Sequence, residues 1–400
     1  MGPGILTLPA AAAQTAGPLS LVALGLLLAV SAPAAFAFVH IHRATSGGGS
    51  GDAGIQHYVA TAFGPSAGRI VAAWFYLGVP IGVPALALIG GAYVSAAVGG
   101  GRPTELIAAW VIALIAVLAN LRGRRSSGTL SLVLAVALVV LIVGAAIVSV
   151  PYWRPANLSD FAPNGVLAIV PASLTLMWVL TGWEASTNFV GLVRDPHRRL
   201  PRVITITLVL VIVLYASVAL PEILVLGPFA GRTSAPVAAV LHAAIGTPAA
   251  NIAALLAAVL ALANSVAYLA SLRALGGTLI GSGREPMERR ARLSPLLVPV
   301  LITIAGMVLA STTGLQASSF VELCAGSQIP VYVAALASGL VVLRRWSRGW
   351  WTALIATIAV ALLLIPAGPY LLVPLAITAV LLVADATRRR TTRRSTEESA

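Results

Sequence analysis

The sequence predicts an all-α polytopic membrane protein, and three observations support this fold class. Of the 400 residues, 59% are hydrophobic and only 9% are charged, whereas a soluble domain carries about a quarter charged residues. Apolar runs of about 20 residues, the length that a helix needs to cross a bilayer, recur along the chain. All 25 basic residues are arginines, and they cluster between these runs.

The apolar runs give the elements in order. Eleven have the length of a spanning helix, near residues 17–42, 66–98, 104–121, 127–150, 165–191, 201–226, 236–281, 296–312, 318–343, 349–366 and 368–384. A shorter stub, residues 4–13, precedes them. Several runs exceed the length of one span, which implies tilt, a cytoplasmic extension or a break in the helix.

The arginines predict the orientation of these helices. If the loop at 43–65 is cytoplasmic, alternate loops place all arginines except Arg102, Arg154 and Arg232 on that side. We therefore expect a multi-pass protein of the cell (inner or plasma) membrane with a cytoplasmic C-terminus. The net charge of +13 indicates contact with anionic lipid and not with nucleic acid.

The first apolar run has a competing interpretation as a signal peptide. Leu19 to Val30 is followed by "SAPAAFA", a small-residue stretch of the kind that is cleaved. No arginine precedes the run, although a positive leading segment is part of such a signal. We therefore expect a spanning helix.

Two stretches predict interrupted helices, "GPGILTLP" (2–9) and "LTGWEAST" (180–187). Many secondary transporters break one helix in each half of the fold and expose backbone groups to the substrate. Glycine and proline at 2–4 prevent a regular helix there, so Ile5 can start a half-helix whose N–H groups face an anion. Gly182 can free the carbonyls from Trp178 to Thr181 for a substrate ammonium. Other glycine pairs, such as Gly90 and Gly91, are typical of helix packing.

Glu184 places a carboxylate in the second interrupted stretch. A carboxylate at the centre of a bilayer helix costs about 2.5 to 3.5 kcal/mol, so its presence there indicates a function. Three roles stay open: a structural partner of the unwound backbone, a group that exchanges protons, and a direct ligand of the substrate. We favour the first two.

Several motifs together resemble the amino acid–polyamine–organocation transporter superfamily, and within it the bacterial exporters of methionine and branched-chain amino acids. They are "GPGILTLPAAAA" at the start, "GDAGIQHYVATAFG" (51–64), "GWEASTNFVGLVRDPHRRLPRVI" (182–204) and "ERRARLSP" (288–295). The resemblance implies alternating access and a leucine-transporter-type fold, in which two inverted five-helix repeats are followed by two further helices. These parts correspond to residues 1–150, 151–343 and 344–384, with a basic cytoplasmic tail at 385–400.

The resemblance also implies a neutral amino acid bound between the first and sixth helices. Its carboxylate would meet the backbone at 2–5 and its amino group the backbone at 178–182. The expected substrate-binding residues are Gly2, Pro3, Gly4, Ile5, Trp178, Leu180, Thr181, Gly182 and Trp183. The expected cavity-lining residues are Val79, Asn264, Ser327, Gln328 and Ile329. For the polar ones among them, hydrogen bonds between helices are at least as good an explanation.

Two departures from the superfamily pattern matter. The first helix is truncated, because no half-helix precedes Gly2, and we expect the native frame to begin about twenty residues upstream or the chain to be a fragment. Some relatives replace a sodium ion by a lysine amine in the fifth helix, and this chain has no lysine. Coupling to protons or to sodium, with Thr129 and Ser131 as candidate sodium ligands, stays open.

We expect an exporter of neutral, apolar L-amino acids such as methionine, leucine, isoleucine and valine. An importer or exchanger of the same fold is the alternative. An intramembrane enzyme is disfavoured, because no histidine-rich metal constellation and no paired carboxylates on one helix are present. A channel is disfavoured because it would not need paired broken helices. We expect no cofactor and no metal, the single Cys324 excludes an internal disulfide, and the oligomeric state stays open. Glu222 and Glu322, near helix ends, are expected to reach the solvated interface.

Overall fold

The computed structural model describes residues 3–45, 54–122, 128–181, 196–279 and 289–383. Every regular element in these ranges is helical. The α-helices are α1 (Leu8–Ala16), α2 (Ser20–Thr45), α3 (Ile55–Phe63), α4 (Pro65–Gly78), α5 (Gly82–Ala97), α6 (Arg102–Leu121), α7 (Gly128–Ser149), α8 (Ile169–Thr175), α9 (Pro196–Pro221), α10 (Pro236–Ile245), α11 (Thr247–Leu279), α12 (Arg289–Thr313), α13 (Ala317–Val342), α14 (Arg348–Leu362), α15 (Leu364–Ala367) and α16 (372–383).

Nine stretches of the described chain are long and apolar enough to cross a membrane. The prediction of an all-helical, multi-pass membrane protein is therefore confirmed, although the count differs from eleven for two reasons. The run near 165–191 is described as far as residue 181, as a short apolar helix over Val166–Leu180. The last two predicted runs form one continuous stretch, Arg348–Val383, which bends at Gly368 with a φ of 35°.

The predicted run over 236–281 is divided in the structure. Gly246 separates α10 from α11 with a φ of 91° and a ψ of −179°, a conformation open essentially only to glycine. The apolar pattern continues across this glycine, so hydrophobicity alone predicts one long helix.

Helix α5 lies at the centre of the bundle, against α6 and α11. Two glycines let the three helices approach closely. A Cβ on Gly90 would lie 2.6 Å from Cδ1 of Ile112 and 2.7 Å from Cβ of Ala261, and one on Gly91 would overlap the carbonyl oxygen of Glu105. The expectation that this glycine pair serves helix packing is therefore confirmed.

One end of the bundle is closed by two connections, residues 150–165 and 227–235, which we call the cap. The cap is tied to the start of the chain and to the end of α9. The amide of Leu19 donates to the Phe161 carbonyl at 2.9 Å, and Nδ2 of Asn164 donates to the Thr15 carbonyl at 2.8 Å. The amide of Arg154 donates to the Leu224 carbonyl at 2.9 Å. This end carries Arg154 and Arg232, two of the three arginines that the charge pattern places outside.

Candidate substrate site

The first interrupted stretch forms a four-residue 3-10 turn, Pro3–Leu6, before α1 begins. Ile5 and Leu6 are buried, and the Thr7 amide donates to the Gly4 carbonyl at 3.1 Å. The α-helix starts at Leu8, three residues later than the predicted start at Ile5, because the backbone of Thr7 departs from helical geometry with a φ of −137°. The free N–H groups of the half-helix therefore belong to its first turn after Thr7.

The second interrupted stretch loses its α-helical geometry in two steps. Helix α8 ends at Thr175 and tightens into a 3-10 turn, Leu176–Leu180. Thr181 then turns to extended geometry with a φ of −81° and a ψ of 144°. Both the amide and the hydroxyl of Thr181 donate to the Trp178 carbonyl, at 3.2 and 2.8 Å. Gly182, Trp183 and Glu184 lie outside the described residues, as does Gly2.

The two interrupted stretches meet at Gly4 and Trp178. A Cβ on Gly4 would lie only 3.1 Å from Cε3 of Trp178. The same indole also covers Gly82, where a Cβ would lie 3.3 Å from Cζ2 of Trp178 and 3.4 Å from Sγ of Cys324. Glycine at both positions thus leaves the space that the indole fills. We call this contact region the junction.

Two buried polar atoms in the two unwound segments have no strong hydrogen-bond partner within the described part of the chain. They are the hydroxyl oxygen of Thr7 and the indole nitrogen of Trp178, beside which lies the thiol of Cys324, a weak partner. Buried polar groups are nearly always satisfied. A polar ligand at the junction would supply the missing partners.

Helix α5 fixes the first stretch in place. The hydroxyl of Tyr93, a fully buried side chain, donates to the Leu6 carbonyl at 2.8 Å. This bond occupies a carbonyl that the 3-10 turn leaves outside the α-helical ladder. The sequence does not predict this hydrogen bond, because Tyr93 and Leu6 are 87 residues apart.

The expected cavity-lining residues lie on three parts of the bundle, of which two are in contact, since a Cβ on Gly78, beside Val79, would overlap the Ser327 hydroxyl. Val79 lies in the 3-10 turn Val79–Ile81 and packs with Tyr76 and Leu272, and Ile329 is buried in the main core. The three polar residues bond within their own helices: Asn264 to the Leu260 carbonyl at 2.9 Å, Ser327 to the Cys324 carbonyl at 2.8 Å, and Gln328 to the Cys324 thiol at 3.2 Å. Ser327 and Gln328 thereby both bond to Cys324, which lies beside the junction.

The expectation that Glu222 reaches the solvated interface is wrong, because Glu222 is 1% exposed. Its position near a helix end suggested solvent, but the cap packs over this end. Glu322, on α13, is half-buried and accepts hydrogen bonds from the hydroxyls of Thr175 and Tyr370, each at 3.0 Å. Glu322 therefore links the last residue of α8, just before the unwound turn, to the C-terminal helices.

The nine spanning stretches and the two unwound segments that meet among them define a membrane transporter. The chain belongs to the amino acid permease family, which it matches over residues 1–386. The resemblance found in the sequence motifs is thus confirmed.

Curated relatives agree with this family. The chain is 27% identical over 388 residues to an uncharacterized amino acid permease, YecA, of Bacillus subtilis (strain 168), with 95% of this chain and 90% of that protein covered. It is 31% identical over 222 residues to the L-methionine/branched-chain amino acid exporter YjeH of Escherichia coli (strain K12), which covers 54% of this chain and 50% of the exporter.

Solved transporter structures share the fold. MhsT in complex with L-phenylalanine superposes with a TM-score of 0.55 at 18% identity, covering 92% of this chain and 96% of that chain. A manganese transporter of Eremococcus coleocola superposes with a TM-score of 0.52 at 13% identity, covering 98% and 92%. At these identities the likeness concerns the fold alone.

Proposed function

We propose that this permease exports neutral, apolar L-amino acids, with methionine, leucine, isoleucine and valine as substrates. The observation that carries the proposal is the junction, where the indole of Trp178, on one unwound segment, lies beside Gly4 of the other. A zwitterion needs one partly positive and one partly negative site close together, and a helix start beside an unwound turn offers both. The similarity to YjeH supports the substrate class and the direction.

The substrate carboxylate is assigned to the backbone around Pro3 to Ile5 and to the start of α1. The ammonium is assigned to the carbonyls of Leu180 and Thr181, since the Trp178 carbonyl already accepts two hydrogen bonds from Thr181. The side chain then needs an apolar site, and the indole of Trp178 and the neighbouring buried Ile5 supply apolar surface. A charged side chain would be disfavoured there because it would lose hydration without gaining a partner.

A glycine substitution tests the site. Gly4→Val would push a branched side chain against the indole of Trp178, and we expect binding of methionine to the purified full chain to weaken at least tenfold, about 1.4 kcal/mol. Gly25→Val is the matched control, because nothing lies within 4 Å of a Cβ at that position. Equal affinities for both variants would show that the substrate does not bind at the junction.

Efflux measurements test the direction. Cells that express the protein and receive methionine- or leucine-containing dipeptides should accumulate less free amino acid than cells without it. Faster accumulation of external amino acid would instead indicate an importer. Absence of binding across a panel of neutral amino acids would contradict the proposed substrate class.

A further inference from the structure

Glu222 is a carboxylic acid that the proposed site does not use. It opens a π-helical turn, Glu222–Leu226, that follows the end of α9 at Pro221. π-Helical turns are rare in proteins, and those that do occur are often found at functional sites. The side chain is 1% exposed, and neither of its oxygens has a hydrogen-bond partner in the ranges that the structure describes.

The surroundings of Glu222 are almost entirely apolar. A cavity of about 10 Å³ adjoins it, lined also by Ile142, Ser217, Val218, Val237 and Val240. This volume is close to the minimum that accommodates one water molecule. Ser217 is the only other polar side chain in that lining.

The charged groups of the cap and of α10 are exposed. They are Arg154, Asp160 and Arg232 of the cap and His242 of α10. The guanidinium of Arg232 lies over the Phe229 ring at 5.6 Å. The buried titratable group close enough to interact is the hydroxyl of Tyr93 on α5, which already donates to the Leu6 carbonyl.

The cap holds Glu222 away from solvent. The Leu224 carbonyl, in the same π turn, accepts from the Arg154 amide and from Nδ2 of Asn157, both at 2.9 Å. The cap also packs against α1, since a Cβ on Gly231 would overlap the backbone of Gln14, and the π turn itself contacts both α1 and the cap. The turn that carries the carboxyl is therefore held by the cap and by the half-helix of the junction.

Burial of an ionised carboxylate without a partner costs several kcal/mol, whereas the protonated acid can be buried at a much smaller cost. The closed cap thus requires a proton on Glu222. When the cap opens, water reaches the carboxyl and the proton can leave. Protonation and closure are then linked, and each favours the other.

We propose that Glu222 is a proton-binding site whose occupation closes the cap over the transport pathway. This inference rests on the proposed function in one respect, since it needs a transport cycle in which the cap opens. The direction of the pH effect follows from the linkage between protonation and closure. Acid medium on the cap side favours the closed cap, and alkaline medium favours the open cap. Glu222 then binds and releases a proton during the transport cycle.

Cysteine labelling tests the proposal. Val237 lines the cavity beside Glu222, so Val237→Cys in a Cys324→Ala background reports opening through its reaction with a membrane-impermeant maleimide. Leu167→Cys, at an 83% exposed position, corrects for the effect of pH on the thiol reaction itself. We expect the corrected rate to rise with pH, by up to about tenfold per unit for one linked proton.

Two variants separate Glu222 from other acids. Glu222→Gln cannot lose a proton, so its labelling should stay slow at every pH. Glu105→Gln is the matched control, because Glu105 is paired with Arg102 at 2.5 Å, and it should keep the wild-type profile. A Glu222→Gln protein with the wild-type pH profile would overturn the proposal.

Infrared spectroscopy tests protonation directly. At neutral pH, the wild-type spectrum minus the Glu222→Gln spectrum should contain the carbonyl band of a protonated carboxyl, and its absence would also overturn the proposal.

A separate measurement of methionine binding distinguishes failure of the proton site from failure of the proposed function. Binding with pH-independent labelling contradicts the proton site alone, whereas pH-dependent labelling without binding of any neutral amino acid contradicts the substrate class alone.

Discussion

At the scale of single residues, Glu322 joins three separate parts of the chain. Its two oxygens accept from Thr175, just before the unwound turn of the junction, and from Tyr370, in the turn before α16. A Cβ on Gly326, one turn further along α13, would overlap the side chain of Tyr370. The C-terminal helices are thereby held against the helix that carries Trp178.

Removal of one of these hydroxyls should be measurable. Thr175→Val leaves one Glu322 oxygen without its partner, and we expect a loss of about 1 kcal/mol in the free energy of unfolding. Thr357→Val is the control, since the Thr357 hydroxyl donates to the Ala353 carbonyl of its own helix and bonds to no other residue that the structure describes. Thermal unfolding of both purified variants should show a lower midpoint for Thr175→Val. Equal midpoints would mean that the link to Glu322 contributes nothing.

The residues that make the junction differ in how far the sequence reveals them. Gly4 lies in the first interrupted stretch and Trp178 just before the second, and glycine and proline indicate both stretches in advance. Tyr93 and Glu322 are invisible at that level, because their partners are 87 and 147 residues away. For Glu222 the sequence suggested solvent. Its burial depends on the cap, which contains no periodic pattern that a prediction can use.

At the scale of elements, close approach of α5 and α6 depends on Gly91. A Cβ there would overlap the Glu105 carbonyl oxygen, which is backbone and cannot move aside. We expect Gly91→Ala to lower the free energy of unfolding by about 1 to 3 kcal/mol. The comparison is Gly144→Ala on α7, where nothing lies within 4 Å and alanine should be neutral or stabilising.

Thermal unfolding of the Gly91→Ala and Gly144→Ala proteins decides this point. A midpoint lowered by Gly91→Ala and unchanged or raised by Gly144→Ala is expected. Equal shifts would show that the two helices separate easily.

The existence of the helices was predictable from the apolar runs alone, whereas the residues at which they begin and end were not. Gly246 divides one such run and Thr7 delays the start of α1, since local backbone geometry decides these ends and hydrophobicity does not.

At the scale of the whole molecule, the cap, the half-helix α1 and the π turn at Glu222 form one connected structure. Gly231 of the cap lies against Gln14 of α1, and Tyr93 holds the Leu6 carbonyl at the start of the same half-helix. Motion of the cap is therefore expected to shift the half-helix that borders the substrate site. This coupling offers a physical route from protonation of Glu222 to the occupancy of the junction.

The orientation of the molecule in the membrane is a separate prediction, because it is derived from the positions of the arginines and not from the packing of the helices. The positive-inside rule places the cap outside. In a Cys324→Ala background, Ser234→Cys in the cap should react with a membrane-impermeant maleimide in intact cells, whereas Thr61→Cys on α3 should react only after the membrane is permeabilised. Both positions are exposed, so access to the thiol decides the rate. The reverse pattern would invert the topology and place the Glu222 proton site on the cytoplasmic side.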